Sequence, residues 1–149
     1  MLHNVRSAYN VGSIFRSANA AGVSHVWLTG YTPAPQDRFG RVKREIEKTA
    51  LGAERAVSWS TQRSFGSVLK SLKKNNVTLV AVEQTPSALD YRTFELVEPT
   101  CFIFGNEVQG LSKQIIMHAD VVIHISLPGG KESLNVSVAA GIVLFSMLH

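Results

Sequence analysis

The sequence predicts an α/β fold in which helices flank a parallel sheet. Two observations support this prediction: amphipathic helical patterns alternate with strand-like segments along the chain, and those segments show little polar alternation. Strands that are apolar on both faces are typical of parallel sheets, because helices cover each side. The 149 residues fit a single domain, 1–149, and are enough for a hydrophobic core.

The helices are predicted from apolar residues that recur three and four positions apart. The first covers residues 11–21 and ends at Gly22, and the second covers residues 65–72 and ends in two lysines that suit the negative end of a helix dipole. A short helix follows Ser112, a natural N-cap. The last helix, residues 136–148, is apolar almost all round, so we expect it to be buried on every side.

The strands are predicted from short apolar runs that end at glycine or polar residues. They cover residues 26–29, 77–82, 101–104 and 121–125. We assign no regular structure to residues 29–62.

Composition limits the functional classes. Hydrophobic residues make up 45% of the chain and charged residues 17%, which is the balance of a globular protein and not of a disordered one. The net charge of +4 permits an anionic partner without requiring one. There is no apolar run long enough to span a membrane and no secretory leader, and the single cysteine, Cys101, lies in an apolar strand. We therefore expect a cytoplasmic protein with a reduced thiol in its core.

Glycines and small polar residues follow three of the predicted strands. Ligands bind at the carboxyl ends of parallel strands, and small residues there let the backbone approach a ligand closely. Each segment taken alone is also explained by a turn or a helix N-cap, and this alternative weakens when three segments share the feature. The segments are residues 83–86, 105–112 and 126–141.

Two other ligand classes find no support in the pattern. The phosphate-loop motif GxxxxGK[ST] is absent, and no GxGxxG follows a strand. The five histidines have no spacing that is typical of metal ligands, so we expect no metal.

Three ordered segments resemble the SpoU/TrmH branch of the SPOUT RNA methyltransferases. The resemblance covers nearly the whole chain, and the ordered set is far more specific than any one motif. The segments are NVG at residues 10–12 with Arg16 and Ala18, FGNE at 104–107 with GLS at 110–112, and Pro128 with SLNVSVA at 133–139.

The resemblance implies a SPOUT fold, in which the C-terminal part of the sheet is threaded into a deep trefoil knot. It implies S-adenosyl-L-methionine as the cofactor, a ribose 2′-hydroxyl of tRNA or rRNA as the acceptor, and a homodimer with active sites at the subunit interface. In such a dimer, we expect the last helix to pack one face on the sheet and the other on the partner subunit. Small residues in the knot loops are expected to leave room for the cofactor. By motif match, the cofactor-binding residues are Gly105, Leu127 and Leu134, with Glu83, Gln84 and Ile125 at the strand ends.

The same match implies five catalytic residues. Arg16 corresponds to the motif arginine that acts on the 2′-hydroxyl together with a substrate phosphate. Because a guanidinium stays protonated in proteins, we interpret its role as phosphate binding and stabilisation of the incipient alkoxide. Asn10 is expected to orient Arg16 or the ribose, and Glu107, Asn135 and Ser133 to hold the loops and the hydroxyl. Without the motif, Arg16 would be interpreted as a surface residue of an amphipathic helix.

Two features depart from the family pattern. The family usually carries a full first strand ahead of the first motif, whereas only residues 1–4 precede Val5 here. The loop between Pro128 and Ser133 is shorter than the common pattern, which bears on the fit around the methionine part of the cofactor.

The expected RNA contacts lie in residues 29–62. Cations with interleaved aromatic side chains suit a phosphate backbone and exposed bases. The alternative is an ordinary solvated helix face. The basic candidates are Arg38, Arg41, Lys43 and Arg44, and the aromatic candidates are Tyr31, Phe39 and Trp59.

Three functions remain open from the sequence. The first is an S-adenosylmethionine-dependent RNA ribose 2′-O-methyltransferase, and the second is a catalytically inactive knotted module that only binds RNA. The third is a small-molecule nucleotide-binding α/β domain that is unrelated to RNA. The intact set of motif residues favours the first.

Overall fold

In the computed structural model, which describes residues 1–148, parallel strands form two hydrogen-bonded sheets. The first contains β1 (Leu2–His3), β2 (His25–Thr29) and β3 (Ser58–Gln62), in that order. The second contains β4 (Thr78–Val82), β5 (Leu89–Asp90), β6 (Thr100–Ile103) and β7 (Val121–His124), in the order β5-β7-β4-β6.

The two sheets meet edge to edge at β1 and β6. Leu2 forms a parallel bridge with Phe104. The His3 amide donates to the Phe104 carbonyl over 2.9 Å, and the Phe104 amide donates to the Met1 carbonyl over 3.0 Å. The described strands therefore form one parallel row, β3-β2-β1-β6-β4-β7-β5, which confirms the predicted parallel sheet.

The helices follow the predicted order, with two short additions. Three of them begin at a serine N-cap, because Ser7, Ser64 and Ser112 each accept a hydrogen bond from the backbone amide three residues further on. Such caps satisfy amides that a helix N-terminus leaves without partners. The described helices include none that is long and apolar enough to cross a membrane. They are α1 (Ala8–Ala20), α2 (Arg44–Ala50), α3 (Ala53–Ala56), α4 (Phe65–Lys74), α5 (Lys113–His118) and α6 (Val136–Leu148).

Helices cover both faces of the row of strands. One core, around Phe15, is formed with α1, α2 and α6, and the other, around Leu69, is formed with α4 and α5. Successive residues of β4 enter opposite cores: Val80 packs in the first, and Leu79 and Ala81 pack in the second. This double burial is why the sequence of β4 shows no polar alternation.

Residues 29–62 contain regular structure that the sequence analysis did not predict. The helices α2 and α3 span only seven and four residues, which is too short for a clear helical period. They are separated by Leu51 and Gly52, whose φ angles of 52° and 93° interrupt the helical backbone. The strand β3 lies at the edge of the row and has the polar sequence SWSTQ, so it lacks the apolar run that marks a buried strand.

The last helix buries the face that was predicted to pack on the sheet, whereas the face predicted to pack on a partner subunit is exposed in the single chain, so that second contact stays a prediction. On α6, Val136, Ala140 and Val143 are buried against the first core. In contrast, Val138 is 49% exposed and Phe145 is 45% exposed. Because these two residues lie about two turns apart, the outer face of α6 carries an exposed apolar stripe.

Candidate active site

Glu107 lies in the loop after β6 and holds that loop against the start of α1. Its carboxylate oxygens accept hydrogen bonds from the backbone amides of Arg6 and Ser7, each over 2.9 Å, and from the side-chain amide of Asn10 over 3.0 Å. Burial alone would raise the pKa of Glu107, but the hydrogen bonds favour the charged form and hold this pKa below its ordinary value. Glu107 is therefore a fixed carboxylate at this junction.

Asn135 joins the third motif to the same cluster. Its side-chain amide donates to Oδ1 of Asn10 over 3.1 Å. Its own Oδ1 accepts from the backbone amide of Ser137 over 2.9 Å and from the Ser137 hydroxyl over 2.6 Å, at the start of α6. Three of the predicted catalytic residues, Asn10, Glu107 and Asn135, thus form one hydrogen-bonded chain with Asn10 in the middle, named here in sequence order the Asn–Glu–Asn chain.

A cavity of about 140 Å³ lies beside this chain, at the carboxyl ends of β4, β6 and β7. Apolar side chains and loop backbone line it together, which is the usual character of a small-molecule site. Among residues 1–148, no group of three or more His, Cys, Asp or Glu side chains is arranged to hold a metal ion. The predicted site residues that line the cavity are Glu83, Gln84, Gly105, Glu107, Ile125, Ser133 and Leu134.

Glu83 fixes one wall of this cavity. Its Oε1 accepts from the backbone amide of Gln84 over 2.9 Å, and its Oε2 accepts from the backbone amide of Leu111 over 2.7 Å. Gly110 leaves space for the carboxylate, since a Cβ atom there would lie 2.2 Å from Oε2 of Glu83. Glu83 therefore acts as a positioning residue for the loop after β6.

The packing of the loop after β6 gives a second reason for a glycine at position 105. A Cβ atom at Gly105 would lie 2.6 Å from the carbonyl carbon of Gly110, 2.7 Å from its oxygen and 2.8 Å from the amide nitrogen of Leu111. Backbone atoms cannot yield as a flexible side chain can. A larger residue would therefore collide with its own loop, and because Gly105 also lines the cavity, the expectation that it leaves room for the cofactor stays a prediction.

Leu127 is the one predicted cofactor residue that does not line the cavity of about 140 Å³. It lines a neighbouring cavity of about 820 Å³, next to Pro128. Gln84 and Ile125 line both cavities, and the side-chain amide of Gln84 donates to the Ile125 carbonyl over 2.7 Å. This hydrogen bond lies at the wall that the two cavities share.

Arg16 is exposed on α1 and stands away from the Asn–Glu–Asn chain. At 1.5 Å per residue, it lies about 9 Å beyond Asn10 along the helix axis. It lines neither cavity, and no hydrogen bond or ion pair joins its side chain to another residue in the part of the chain that the structure describes. Within one chain, Arg16 is therefore not brought together with the other four predicted catalytic residues.

The predicted RNA-binding cations lie on an exposed loop between β2 and α2. Arg41 forms an ion pair with Asp37, with 2.6 Å between Nε and Oδ2. The backbone hydrogen bond from Arg41, together with its side chain, lowers the pKa of Asp37. The guanidinium carbons of Arg38 and Arg41 lie 4.7 and 5.3 Å from the centroid of the Phe39 ring. The other two cations, Lys43 and Arg44, are exposed at the start of α2.

The three aromatic candidates differ in exposure. Trp59 is partly buried in β3, where its indole donates to the Glu54 carbonyl over 3.2 Å and its ring packs against the first core. Tyr31 and Phe39, in contrast, are 57% and 67% exposed. Only these two rings are therefore largely open to solvent.

Asn106 and Tyr31 connect the basic loop to the site, and the sequence analysis gave Asn106 no separate role. The side-chain amide of Asn106 donates to the Asn4 carbonyl and to the Tyr31 hydroxyl, each over 3.0 Å. Its Oδ1 accepts from the backbone amides of Val108 and Gln109, each over 2.9 Å. The available signal for Asn106 was its place in the FGNE motif, whereas no sequence spacing indicated its bond to Tyr31.

Sequence comparison identifies relatives across nearly the whole chain. Residues 1–145 match the SpoU rRNA Methylase family. The chain is 31% identical over 144 residues to the tRNA (guanosine(18)-2'-O)-methyltransferase of Escherichia coli strain K12, covering 97% of this chain and 59% of that protein. It is 32% identical over 149 residues to the 23S rRNA (guanosine-2'-O-)-methyltransferase RlmB of Xylella fastidiosa strain 9a5c, covering 100% of this chain and 57% of that protein. The chain thus spans less than two thirds of either relative.

Solved structures have the same fold. The TrmH/SpoU tRNA modifying enzyme of A. aeolicus superposes with a TM-score of 0.83 at 28% identity, over 97% of this chain and 70% of that one. The SpoU methyltransferase AviRb from Streptomyces viridochromogenes, in complex with AdoMet, superposes with a TM-score of 0.86 at 25% identity, over 97% of this chain and 56% of that one. With the family match over residues 1–145, these similarities confirm the resemblance inferred from the three motifs, and the chain belongs to the SpoU rRNA Methylase family.

Proposed function

We propose that this chain is an S-adenosyl-L-methionine-dependent RNA methyltransferase that acts on a ribose 2′-hydroxyl of tRNA or rRNA. The observation that carries the proposal is the Asn–Glu–Asn chain, because it joins all three motif segments beside one cavity. The two relatives compared above are named as guanosine 2′-O-methyltransferases of tRNA and of 23S rRNA, which supports this class of reaction.

The cofactor is proposed to bind at the carboxyl ends of β4, β6 and β7. The residues there fit the group, because Val82, Leu134 and Ala139 offer apolar walls while Ser133 and the loop backbone offer polar groups. The cavity beside the Asn–Glu–Asn chain is smaller than the roughly 300 Å³ of a typical ligand site. We therefore propose that the ligand extends past Gln84 into the neighbouring cavity, where Leu127 lies. The AdoMet complex of AviRb supports the choice of cofactor.

When bound, the cofactor would supply the methyl group of its sulfonium to the ribose oxygen and would leave as the neutral thioether S-adenosylhomocysteine. A 2′-hydroxyl is a weak nucleophile, so it must release its proton as it attacks, to water or to a phosphate oxygen of the RNA. Arg16 is proposed to bind that phosphate and to stabilise the negative charge that develops on the oxygen. Asn10, whose side-chain orientation Glu107 and Asn135 fix, is proposed to position the ribose.

The active site is proposed to form at the interface of a homodimer. Within one chain, Arg16 is exposed and lies about 9 Å along α1 from Asn10, so a second chain is needed to bring an arginine to the site. The exposed apolar residues Val138 and Phe145 on α6 support an interface on this side of the molecule. The dimer would bury the stripe that a single chain leaves open.

The C-terminal part of the chain is proposed to form the deep trefoil knot of the SPOUT fold, within a single domain that comprises residues 1–149. The close approach of Gly105 to Gly110 and Leu111 supports a tightly packed loop in this region. The AviRb and A. aeolicus structures support the fold family at TM-scores of 0.86 and 0.83. A cytoplasmic location is proposed because tRNA and rRNA are the expected substrates.

RNA is proposed to approach along the loop between β2 and α2. The cations of this loop are exposed. The loop starts at the carboxyl end of β2, on the same edge of the sheet as the cavity. Tyr31 links this segment to Asn106 in the site loop. The cations proposed to contact phosphates are Arg38, Lys43 and Arg44, with Arg41 supporting the loop.

The test combines two measurements on the purified protein. Calorimetry with S-adenosylmethionine and with its demethylated product measures cofactor binding, and both ligands are expected to bind. Total bacterial RNA that lacks the modification is then incubated with methyl-labelled cofactor, and mass spectrometry of nuclease digests is expected to show a 2′-O-methylated nucleotide.

The outcomes separate the competing functions. Cofactor binding without any methyl transfer would favour the inactive knotted module that only binds RNA. Failure to bind the cofactor would favour a domain of another class. Label on a base instead of a ribose would contradict the proposed acceptor.

A further inference from the structure

The loop between β2 and α2 presents an aromatic ring to solvent. Phe39 is 67% exposed, although burying such a side chain is strongly favourable. The guanidinium groups of Arg38 and Arg41 lie 4.7 and 5.3 Å from the ring centroid. These distances are within the range of cation–π interactions, so the two arginines hold the ring in an exposed position.

Hydrogen bonds within the loop itself close its base and its tip. Oδ1 of Asp37 accepts from the backbone amides of Phe39 over 2.8 Å and of Arg41 over 3.0 Å. The Asp37 amide donates to the Arg41 carbonyl over 3.0 Å, and Gln36 and Val42 form an antiparallel bridge below the tip. Phe39 therefore projects from a closed hairpin and not from an open coil, which lowers the entropic cost of binding.

The two arginines beside the ring are not equivalent. Arg41 is engaged by Asp37 through the 2.6 Å ion pair, so most of its charge is balanced within the loop. Arg38 has no hydrogen bond or ion pair with any residue between 1 and 148 that the structure describes. Arg38 is therefore the guanidinium that is available to a phosphate, while Arg41 holds the hairpin.

We propose that Phe39 is a stacking platform for one unpaired nucleotide of the RNA, and that Arg38 binds a phosphate next to it. The ligand class rests on the proposed function. An aromatic ring can stack only on a base whose face is free, and the bases of an A-form duplex are stacked on one another. The platform therefore selects a loop or a single-stranded segment over a duplex.

Charge and position favour RNA over a protein partner at this surface. Residues 36–44 contain four cations and a single carboxylate, Asp37. That excess suits a polyanion, whereas protein interfaces are depleted in charge at their centre. The hairpin also starts beyond Tyr31, whose hydroxyl contacts Asn106 next to Glu107. An RNA strand held at Phe39 thus lies on the same edge of the sheet as the catalytic residues.

The test uses two fluorescent probes: a 12-nucleotide RNA of mixed sequence without internal pairing, and the same strand annealed to its complement. Anisotropy titrations at several salt concentrations give the affinity and its salt dependence for each variant. Phe39→Ala should weaken binding of the single strand by about 5- to 150-fold, which is the loss of one stacked base, and should leave the duplex within about twofold. Phe39→Trp should retain the affinity, because a larger ring stacks at least as well.

Two further variants separate stacking from charge. Arg38→Ala should weaken both probes and reduce the slope of log affinity against log salt by about 0.7 for the single strand, which corresponds to one phosphate contact. Phe39→Ala should not change that slope. Met117→Ala is the matched control, because Met117 is an 84% exposed apolar residue on α5, away from the loop.

Two outcomes overturn the proposal: an unchanged single-strand affinity in Phe39→Ala, or an equal loss for single strand and duplex. Circular dichroism and thermal unfolding check that each variant is folded. Methyl transfer by the wild-type protein and by Phe39→Ala is measured on the same preparations. If Phe39→Ala leaves both RNA binding and the rate of methyl transfer unchanged, the stacking role of Phe39 is refuted and the proposed function stands. If Phe39→Ala weakens binding of the single strand only, and the wild-type protein transfers no methyl group, the proposed function is refuted and the stacking role of Phe39 stands.

Discussion

Replacing Glu107 by glutamine should loosen the junction between the loop after β6 and the start of α1. The carboxylate accepts three hydrogen bonds, from Arg6, Ser7 and Asn10. A glutamine offers one oxygen and one NH₂ group in the same place, so at least one donor loses its acceptor and the others lose a charged one. Hydrogen bonds to charged groups contribute about 1.5–3 kcal/mol, against about 1 kcal/mol for neutral ones.

The Glu107 carboxylate is only partly buried, so in Glu107→Gln water can form some of the hydrogen bonds that the backbone amides lose. We expect Glu107→Gln to lower the free energy of unfolding by about 1–2 kcal/mol, or Tm by roughly 2–8 °C for a domain of this size. The measurement is thermal and urea unfolding at pH 7. Glu95→Gln is the matched control, because Glu95 is exposed and has no hydrogen bond to any described residue. A Tm within 1 °C of wild type would refute the assigned role of Glu107.

The pH dependence gives an independent check. The pKa of Glu107 is lower in the folded protein than in the unfolded chain, so the unfolded chain binds the proton more tightly. The stabilisation is therefore complete above the ordinary glutamate pKa of about 4.3, and it is lost as the pH falls through the folded value. The wild type and Glu107→Gln should converge in stability in acid. A difference that persists there would mean that the hydrogen bonds do not depend on the charge.

Two further substitutions test the cofactor loop and the ribose end of the site. Gly105→Ala should lower cofactor affinity at least tenfold in calorimetry and reduce Tm, because the new Cβ would lie within 2.8 Å of the backbone of Gly110. Gly66→Ala on α4, where a Cβ meets only the Ser64 hydroxyl at 3.8 Å, should behave as wild type. Arg16→Ala should keep cofactor affinity but lower the single-turnover rate of methyl transfer by about 10²- to 10³-fold, and Arg16→Lys should not restore it fully, because lysine cannot grip a phosphate by two bonds. Near wild-type transfer in Arg16→Ala would make Arg16 an ordinary surface residue.

The sequence predicted the buried elements well, because burial imposes the pattern that defines them. The strand at residues 77–82 was evident since both its faces enter a core, and helix α1 was evident from its single apolar face. The edge strand β3 and the short helices before it were not evident. Because these elements are short and largely polar, their sequences show no hydrophobic periodicity that would predict a helix or a strand. Their positions follow from packing against α1 and β2.

For the candidate site, the sequence supplied the residues but not their arrangement. Motif match named Asn10, Glu107 and Asn135, which meet through hydrogen bonds of 3.0 and 3.1 Å. No spacing rule indicates such contacts between residues that far apart in the chain. The steric role of Gly105 was also hidden, because it depends on which backbone atoms another part of the same loop brings close.

The edge-to-edge junction of the two sheets has a consequence for the order of folding. It depends on hydrogen bonds between the first residues of the chain and Phe104, so forming the junction closes a loop of roughly a hundred residues, at an entropic cost of about 4 kcal/mol in total. Contacts within each sheet close shorter loops and should form first. The bond between Asn10 and Glu107 crosses the same junction. We therefore expect the catalytic cluster to be assembled in the last step of folding, when two preformed halves dock.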